Sequence, residues 1–382
     1  MTRTLTIKVL SGVSEVAQAS WDALVARESP FLEWKFLTTL EATGCLGEST
    51  GWIPQIITVW DGQELVGAVP FYVKFHSQGE FIFDWAWADA AARSGIEYYP
   101  KGLVAVPFTP VTGARILVRP EEPEPQALRK ALVDATIEVA SEMGLSSVHF
   151  NFIQEPDISA LEGLPVRKSV QYHWFNEGYS SFDDFLAVFR SKRRANIRRE
   201  RRLLAEAGVT TRVITGSAIT HADMKRAFGY YAKTVDKFYW GRRYLTDAFF
   251  EELRGEFSSR IHLLVAEQDG EPFAGAFNLI KDQHLYGRYW GCRREVEFTH
   301  FEVCMYAPIE WCIAHGVKVF EPGAGGEHKF DRGFRATAMH SAHWIADPRL
   351  RLAVTDFVTR EADHVAQQIE WMDAKGPFKH ED

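Results

Sequence analysis

The residues best suited to chemistry sit together in EPGAGGEHKFDRGF, Glu321 to Phe334. Glu327, His328 and Lys329 are consecutive, Arg332 follows, and Gly323, Gly325, Gly326 and Gly333 surround them. A carboxylate, an imidazole, an ammonium and a guanidinium this close could move a proton, neutralise an oxyanion or grip a phosphate. The glycines would let backbone N–H groups approach a ligand. The G-x-x-x-x-G-K-[ST] spacing of a P-loop is absent. His328, His340 and His343 lack helical ligand spacing, and no cysteine pair accompanies them, so no metal is expected. Directly upstream, VKVFEPG reads as a buried strand. The loop would then lie at the C-terminal end of that strand, where α/β sheets hold ligands. There Lys329 or Arg332 could neutralise an oxyanion or a phosphate. His328 or Glu327 could take a proton from an attacking amine. A tight turn leading to a capped helix would use the same glycines.

Three other stretches carry candidate binding residues. FRSKRRANIRRERRLLAEAG holds Arg190, Lys192, Arg193, Arg194, Arg198, Arg199, Arg201 and Arg202, opposed only by Glu200 and Glu206. Its apolar stripe predicts an amphipathic helix over 186–207, capped by Gly208. Crowded cations repel one another, so the face suits a polyanion such as the phosphates of a nucleotide-linked substrate, a tRNA stem or coenzyme A. Arg193, Arg194 and Arg198 are the chief candidates. In YYPKGLVAVPFTPVTGAR, Tyr99 and Lys101 precede a strand-like run, and Arg115 follows it. Pro107 and Pro110 argue against a central strand there, which leaves a rigid loop able to hold an anion. Lys101 and Arg115 are expected to line a cleft between domains. In LYGRYWGC, Arg288 alternates with aromatics along a strand. Glu302 opens the next helix, where the dipole favours an acid that could also act as a positioned base or hold an amine.

Those residues need a scaffold. The chain has 382 residues, enough for two or three domains. Two segments share D-G-x-x-x-x-G-A between strand-like runs, which marks hairpins. Asp269 lies 208 residues after Asp61, and Gly275 lies 208 after Gly67. Each hairpin is followed by a helix ended by a glycine, Gly144 or Gly316, and then by a buried strand. The repeat predicts two similar mixed α/β domains, over 1–165 and 166–346, each with a central sheet and flanking helices. A polar helical tail, 347–382, has no assigned chemistry. The net charge of −8 argues against a constitutive nucleic-acid coat and leaves room for local basic patches. The N-terminal stretch lacks a secretory h-region, and no apolar run is long enough to span a membrane. Cys45, Cys292, Cys304 and Cys312 form no CxxC pair. A cytoplasmic location, with the thiols reduced, is expected.

The strings SKRRANIRRERRLLAEAGV, VAEQDGEPFAGAF, YYPKGLVAVPFTPVTGAR, THFEVCMYAPIEWCI and FEPGAGGEHKFDRGF resemble those of FemAB-like transferases, over about residues 20–350. The resemblance implies two tandem GNAT-like domains. It also implies transfer of an acyl or aminoacyl group, from a coenzyme A thioester or an aminoacyl-tRNA, to an amine of a peptidoglycan precursor. No tightly bound cofactor is implied. The R/Q-x-x-G-x-G/A loop with which GNAT enzymes hold coenzyme A is absent, as is the coiled-coil arm of many tRNA-using relatives. Relatives keep a lysine beside the active site in a Phe-Lys motif. Lys329 occupies the comparable place, although His328 precedes it. The rival expectation is a non-catalytic protein that recognises a cell-wall or nucleotide-linked ligand.

Overall fold

The computed structural model describes residues 4–237 and 241–379. The chain forms two compact units, Met1–Ser169 with Ala338–Gln367, and Val170–Thr337 with Gln368–Asp382. The division therefore falls at Ser169 rather than at 165, and the tail is shared instead of standing apart. Its helix, Pro348–Lys375, is held by apolar residues at helical spacing. Leu350, Val354 and Val358 join Trp87, Ala91 and Tyr98 in a core of the first unit. Met372 joins the aromatic core of the second.

In the first unit, β1 (Leu5–Leu10) pairs with β3 (Ile56–Asp61), and β3 with β4 (Glu64–Val69), across the expected Asp61–Gly62 turn. The short β2 (Trp52–Pro54) precedes β3. Pro70 separates β4 from β5 (Phe71–Lys74), and here the chain changes sheets, since proline has no N–H for a continuous ladder. β5 pairs with β2 and with β6 (Lys101–Val104). The two-residue β7 (Leu117–Val118) pairs with β4. β8 (Ser147–Ile153) runs parallel to β6. The helix Pro125–Glu142 buries Leu128, Leu132 and Val133 among Ile57, Val59, Val66 and Val148.

The second unit contains the end of β9 (Val166–Phe175), then β10 (Val209–Thr215), β11 (Ile261–Gln268), β12 (Glu271–Lys281), β13 (His284–Cys292) and β14 (Val319–Glu321). Pairing follows the order β10–β11–β12–β13–β14–β9, with only β13 and β14 parallel. The last strand, β15 (Arg335–Ile345), pairs through its second half antiparallel with β8. The first unit thus repeats the pairings of the second, as β1–β3–β4 and then β5–β6–β8–β15, with one strand broken at Pro70. Trp174, Phe185, Phe189, Tyr306 and Phe320 fill the core beneath β14.

Candidate active site

The glycine-rich loop starts where two strands part. β13 and β14 are last paired at Tyr286 and Glu321, and β13 runs on to Cys292. The loop lies directly on β13 at Gly287, where a Cβ would sit 3.1 Å from Pro322 Cα. A 3-10 turn, Glu327–Arg332, follows. It closes at Gly333 with φ +88°, where a Cβ would come within 2.7 Å of both Phe185 and Phe189. Glycine is needed there for both backbone and space. Lys329 is 7% exposed, and its Nζ donates to the Gly323 carbonyl at 2.6 Å. Burial pulls its pKa down to about 8, against a weak opposing effect of Cys304.

The neighbours of Lys329 divide into free and tethered groups. Glu327 and His328 are exposed. The His328 ring lies 5.4 Å from that of His300 and 5.8 Å from Phe301. Burial, then His328 when protonated, Lys329 and Arg332 lower the His300 pKa to about 4. Burial, then Arg332 and Lys329, also lower that of His328. Arg332 is tethered. It donates to Glu200 at 3.1 and 3.2 Å and to the His328 carbonyl at 3.0 Å. The Phe301 ring centroid is 3.4 Å from its guanidinium carbon. Tyr306 donates to the same Glu200 at 2.5 Å.

The basic helix runs from Ser191 to Glu206. Acids drawn from other elements answer much of its charge. Arg193 reaches Asp331 at 2.5 Å, which ties the helix to the loop. Arg198 reaches Asp183 at 2.8 Å, and Arg194 donates to the Phe189 carbonyl at 3.3 Å. Arg201 makes a fork with Glu302, at 2.9 and 2.8 Å, and adds Glu310 at 2.6 Å. Glu302 is buried on a π-helical turn, Glu302–Tyr306, so its first role is to hold Arg201. Burial raises its pKa, and Arg201 opposes that rise. A groove of about 650 Å³ opens here, lined by Phe182, Arg198, Arg201, Arg202, Glu302 and Glu310 among others. Lys192 and Arg199 are exposed and make no ion pair among the described residues. Arg288 is half-buried on β13, 5.0 Å from the ring of Tyr289.

The FemAB-like family, described as peptidoglycan biosynthesis/recognition, matches residues 12–380. The chain is a member of the FemAB-like family. No curated protein matches it. The crystal structure of FemX is similar in fold, with a TM-score of 0.53 and 13% identity, over 89% of this chain and 98% of that one. L-PGS from Bacillus licheniformis gives 0.49 at 11% identity, over 84% and 95%. A tandem GNAT protein from the clavulanic acid biosynthesis pathway gives 0.44 at 12%, over 90% and 99%. The mixed α/β class expected from the sequence is the one observed, and the FemX likeness shows the same fold. Among the described residues, no helix is long and apolar enough to cross a membrane. None of their His, Cys, Asp and Glu side chains gather in threes that could hold a metal ion.

The first unit of this FemAB-like chain holds the other three candidates, and it seals two of them. Lys101 is fully buried, not on a cleft surface. It donates to Ser77 at 2.9 Å, to Glu80 at 2.8 Å and to Asp84. Tyr98 donates to Asp84 at 2.6 Å, and His149 and His343 meet at 2.7 Å through their Nδ1 atoms. Tyr99 is half-buried, and its hydroxyl meets Ser77 at 2.7 Å. Arg115 is 1% exposed and donates to the Asn151 carbonyl at 2.9 Å and the Ala114 carbonyl at 3.0 Å. It fastens the proline-rich loop to β8. The carboxylates that bury Lys101 lie 17 and 21 residues away, and the Asn151 carbonyl lies 36 residues from Arg115, so neighbouring residues do not announce either burial.

Strand register also gathers side chains that lie scattered along the sequence. His173, Glu321, His284 and Tyr286 come onto one face of the second unit's sheet. Glu321 is the first residue of the glycine-rich stretch. Nothing in the spacing tied it to His173 or His284, which lie 148 and 37 residues away.

Proposed function

We propose that this FemAB-like chain is an N-acyltransferase. It moves an acyl or aminoacyl group, from a thioester or an aminoacyl-tRNA ester, to an amine, with a peptidoglycan precursor as the acceptor. The observation that carries the reading is the buried ammonium of Lys329 in a glycine-rich loop at the end of β14, with a pKa of about 8. A group with that pKa is still mainly charged at neutral pH and is ready to release its proton. An amine attacking the acyl carbon creates an oxyanion. Lys329 neutralises it in a site with little water to weaken the interaction. When the carbon–oxygen or carbon–sulfur bond breaks, the leaving atom needs a proton, which Lys329 can supply. His328 and Glu327, exposed beside it, face the acceptor side. Arg193, Arg194 and Arg198, with Arg288 and Arg332, frame the approach of anionic parts of donor or acceptor.

The test uses the full chain and a thermal-shift panel of coenzyme A thioesters, aminoacyl-tRNA and nucleotide-linked muropeptides, followed by transfer assays with the ligands that stabilise it. A ligand of the folded state raises the melting temperature by mass action. Stabilisation by a donor and by a muropeptide, with transfer lost in Lys329→Ala, is the expected result. Binding of both with no transfer in the wild type would make this a recognition protein. A shift with acetyl-CoA alone would overturn the aminoacyl-donor half of the reading.

A further inference from the structure

Glu321 is the last residue of β14, and it lies between two imidazoles. His284 Nε2 is 2.9 Å from Glu321 Oε1, and His173 Nε2 is 3.7 Å from Oε2. The carboxylate is 4% exposed and His173 is 5% exposed, whereas the His284 side chain is 29% exposed. The His284 ring is stacked on Tyr286, with centroids 4.1 Å apart and planes 9° apart, so its orientation is held. Gln171 Oε1 lies 3.3 Å from the same His173 Nε2. Burial lowers the His173 pKa, with Glu321 opposing and His284 and Lys329 adding to it. That imidazole therefore lies within the electrostatic reach of both Glu321 and Lys329. The carboxylate comes immediately before the loop that Lys329 clips through Gly323.

A carboxylate held at a strand end, with one solvent-reaching imidazole and one enclosed imidazole beside it, can bind an ammonium and draw off its proton. We infer that Glu321 and His284 form the acceptor subsite, binding a primary ammonium and accepting its proton, with His173 flanking the carboxylate on its enclosed side. The inference rests on the transferase reading for its place in a reaction, but not for the binding itself. In the reaction the primary ammonium gives one proton to the Glu321–His284 pair, and the proton leaves through His284. The freed nitrogen lone pair forms the bond to the acyl carbon. The carbon–oxygen or carbon–sulfur bond then breaks, Lys329 protonates the leaving oxygen or sulfur, and the second nitrogen proton restores Lys329. The products are an amide, a protonated leaving group and one released proton.

The experiment is NMR of the full chain with labelled histidine imidazoles, titrated with glycinamide as a simple primary amine. Acetamide and N,N,N-trimethylglycinamide serve as controls. Glycinamide should move the His284 and His173 signals, and the controls should not. In Glu321→Gln the midpoint should rise at least tenfold, and in Lys329→Met the response should persist. An equal response in Glu321→Gln, an equal response to the trimethyl compound, or no response in the wild type would overturn the inference. If Glu321→Gln does not fold, His284→Asn carries the test through the His173 signal. A glycinamide response in a chain that no acyl donor stabilises would leave the amine subsite standing and remove the transferase reading.

Discussion

Arg332 and Glu200 join the glycine-rich loop to the basic helix, with nitrogen–oxygen distances of 3.1 and 3.2 Å. Both side chains are largely shielded, at 10% and 15% exposure. Removing one partner leaves the other charge buried and uncompensated, which costs about 3–5 kcal/mol. Glu200→Ala is therefore expected to lower stability by about that amount in urea melts. Replacing both, as Glu200→Leu with Arg332→Met, should recover a large part of the loss. A double-mutant cycle measures the coupling. Two independent, additive losses would show that the two residues do not act as a pair.

Lys329 is expected to reduce stability in the range where it would work. Its folded pKa, about 8, is below the ordinary 10.5, because burial disfavours the charged form. The folded chain thus binds fewer protons than the unfolded chain between those two values, and stability rises with pH across that window. Below pH 8 the whole penalty is present, up to about 3 kcal/mol at 1.36 kcal/mol per pKa unit. Losing the Gly323 hydrogen bond offsets about 1 kcal/mol. Lys329→Met should accordingly stabilise the chain by about 2 kcal/mol at pH 7 while removing transfer, and its stability should no longer climb between pH 8 and 10. A destabilised, fully active Lys329→Met would contradict both halves of this expectation.

Lys101 should behave in the opposite way. Its ammonium is the main partner of two buried carboxylates, Glu80 and Asp84. Lys101→Met is expected to cost about 3–5 kcal/mol. Any variant that still folds should keep its affinity for donor and acceptor. A large rise in KM with unchanged melting temperature would return Lys101 to the binding surface.

Lys192 and Arg199 test the basic helix without disturbing its internal pairs. Substitution of either with serine should change stability by no more than about 0.5 kcal/mol, as for ordinary surface positions. If the helix tracks a nucleic-acid backbone, each change should weaken tRNA binding and lower the salt slope by about 1. Fluorescence anisotropy at several salt concentrations measures this. Unaltered binding and slope would assign the helix to protein-internal pairing alone.

Local pattern made much of this architecture legible. The Asp61–Gly62 and Asp269–Gly270 turns, the glycine ends of two helices and the buried strands Ser147–Ile153 and Val319–Glu321 all follow from spacing and turn chemistry. The strand before the glycine-rich loop was readable for the same reason. What was not readable depends on long-range partners. Eight nearby cations read as a binding face until Asp331, Asp183, Glu302 and Glu310 are seen to answer three of them, Arg193, Arg198 and Arg201. Lys101 and Arg115 read as cleft residues because nothing in a sequence shows that Asp84 or the Asn151 carbonyl will meet them. Glu321 was overlooked because its meaning comes from register, which pairs it with Tyr286 and brings His284 beside it.

The enclosed array around Lys101 has a consequence for variation in this protein. Both units follow one strand plan, yet the first keeps its charged row under cover, while the second leaves His328, Glu327 and part of His284 open to solvent. A random library would therefore sort by half. Changes near Lys101, His149 and His343 would register as loss of soluble protein. Changes near Lys329 and Glu321 would register as altered turnover in protein that still accumulates. Expression screening alone would then map the boundary between scaffold and reagent.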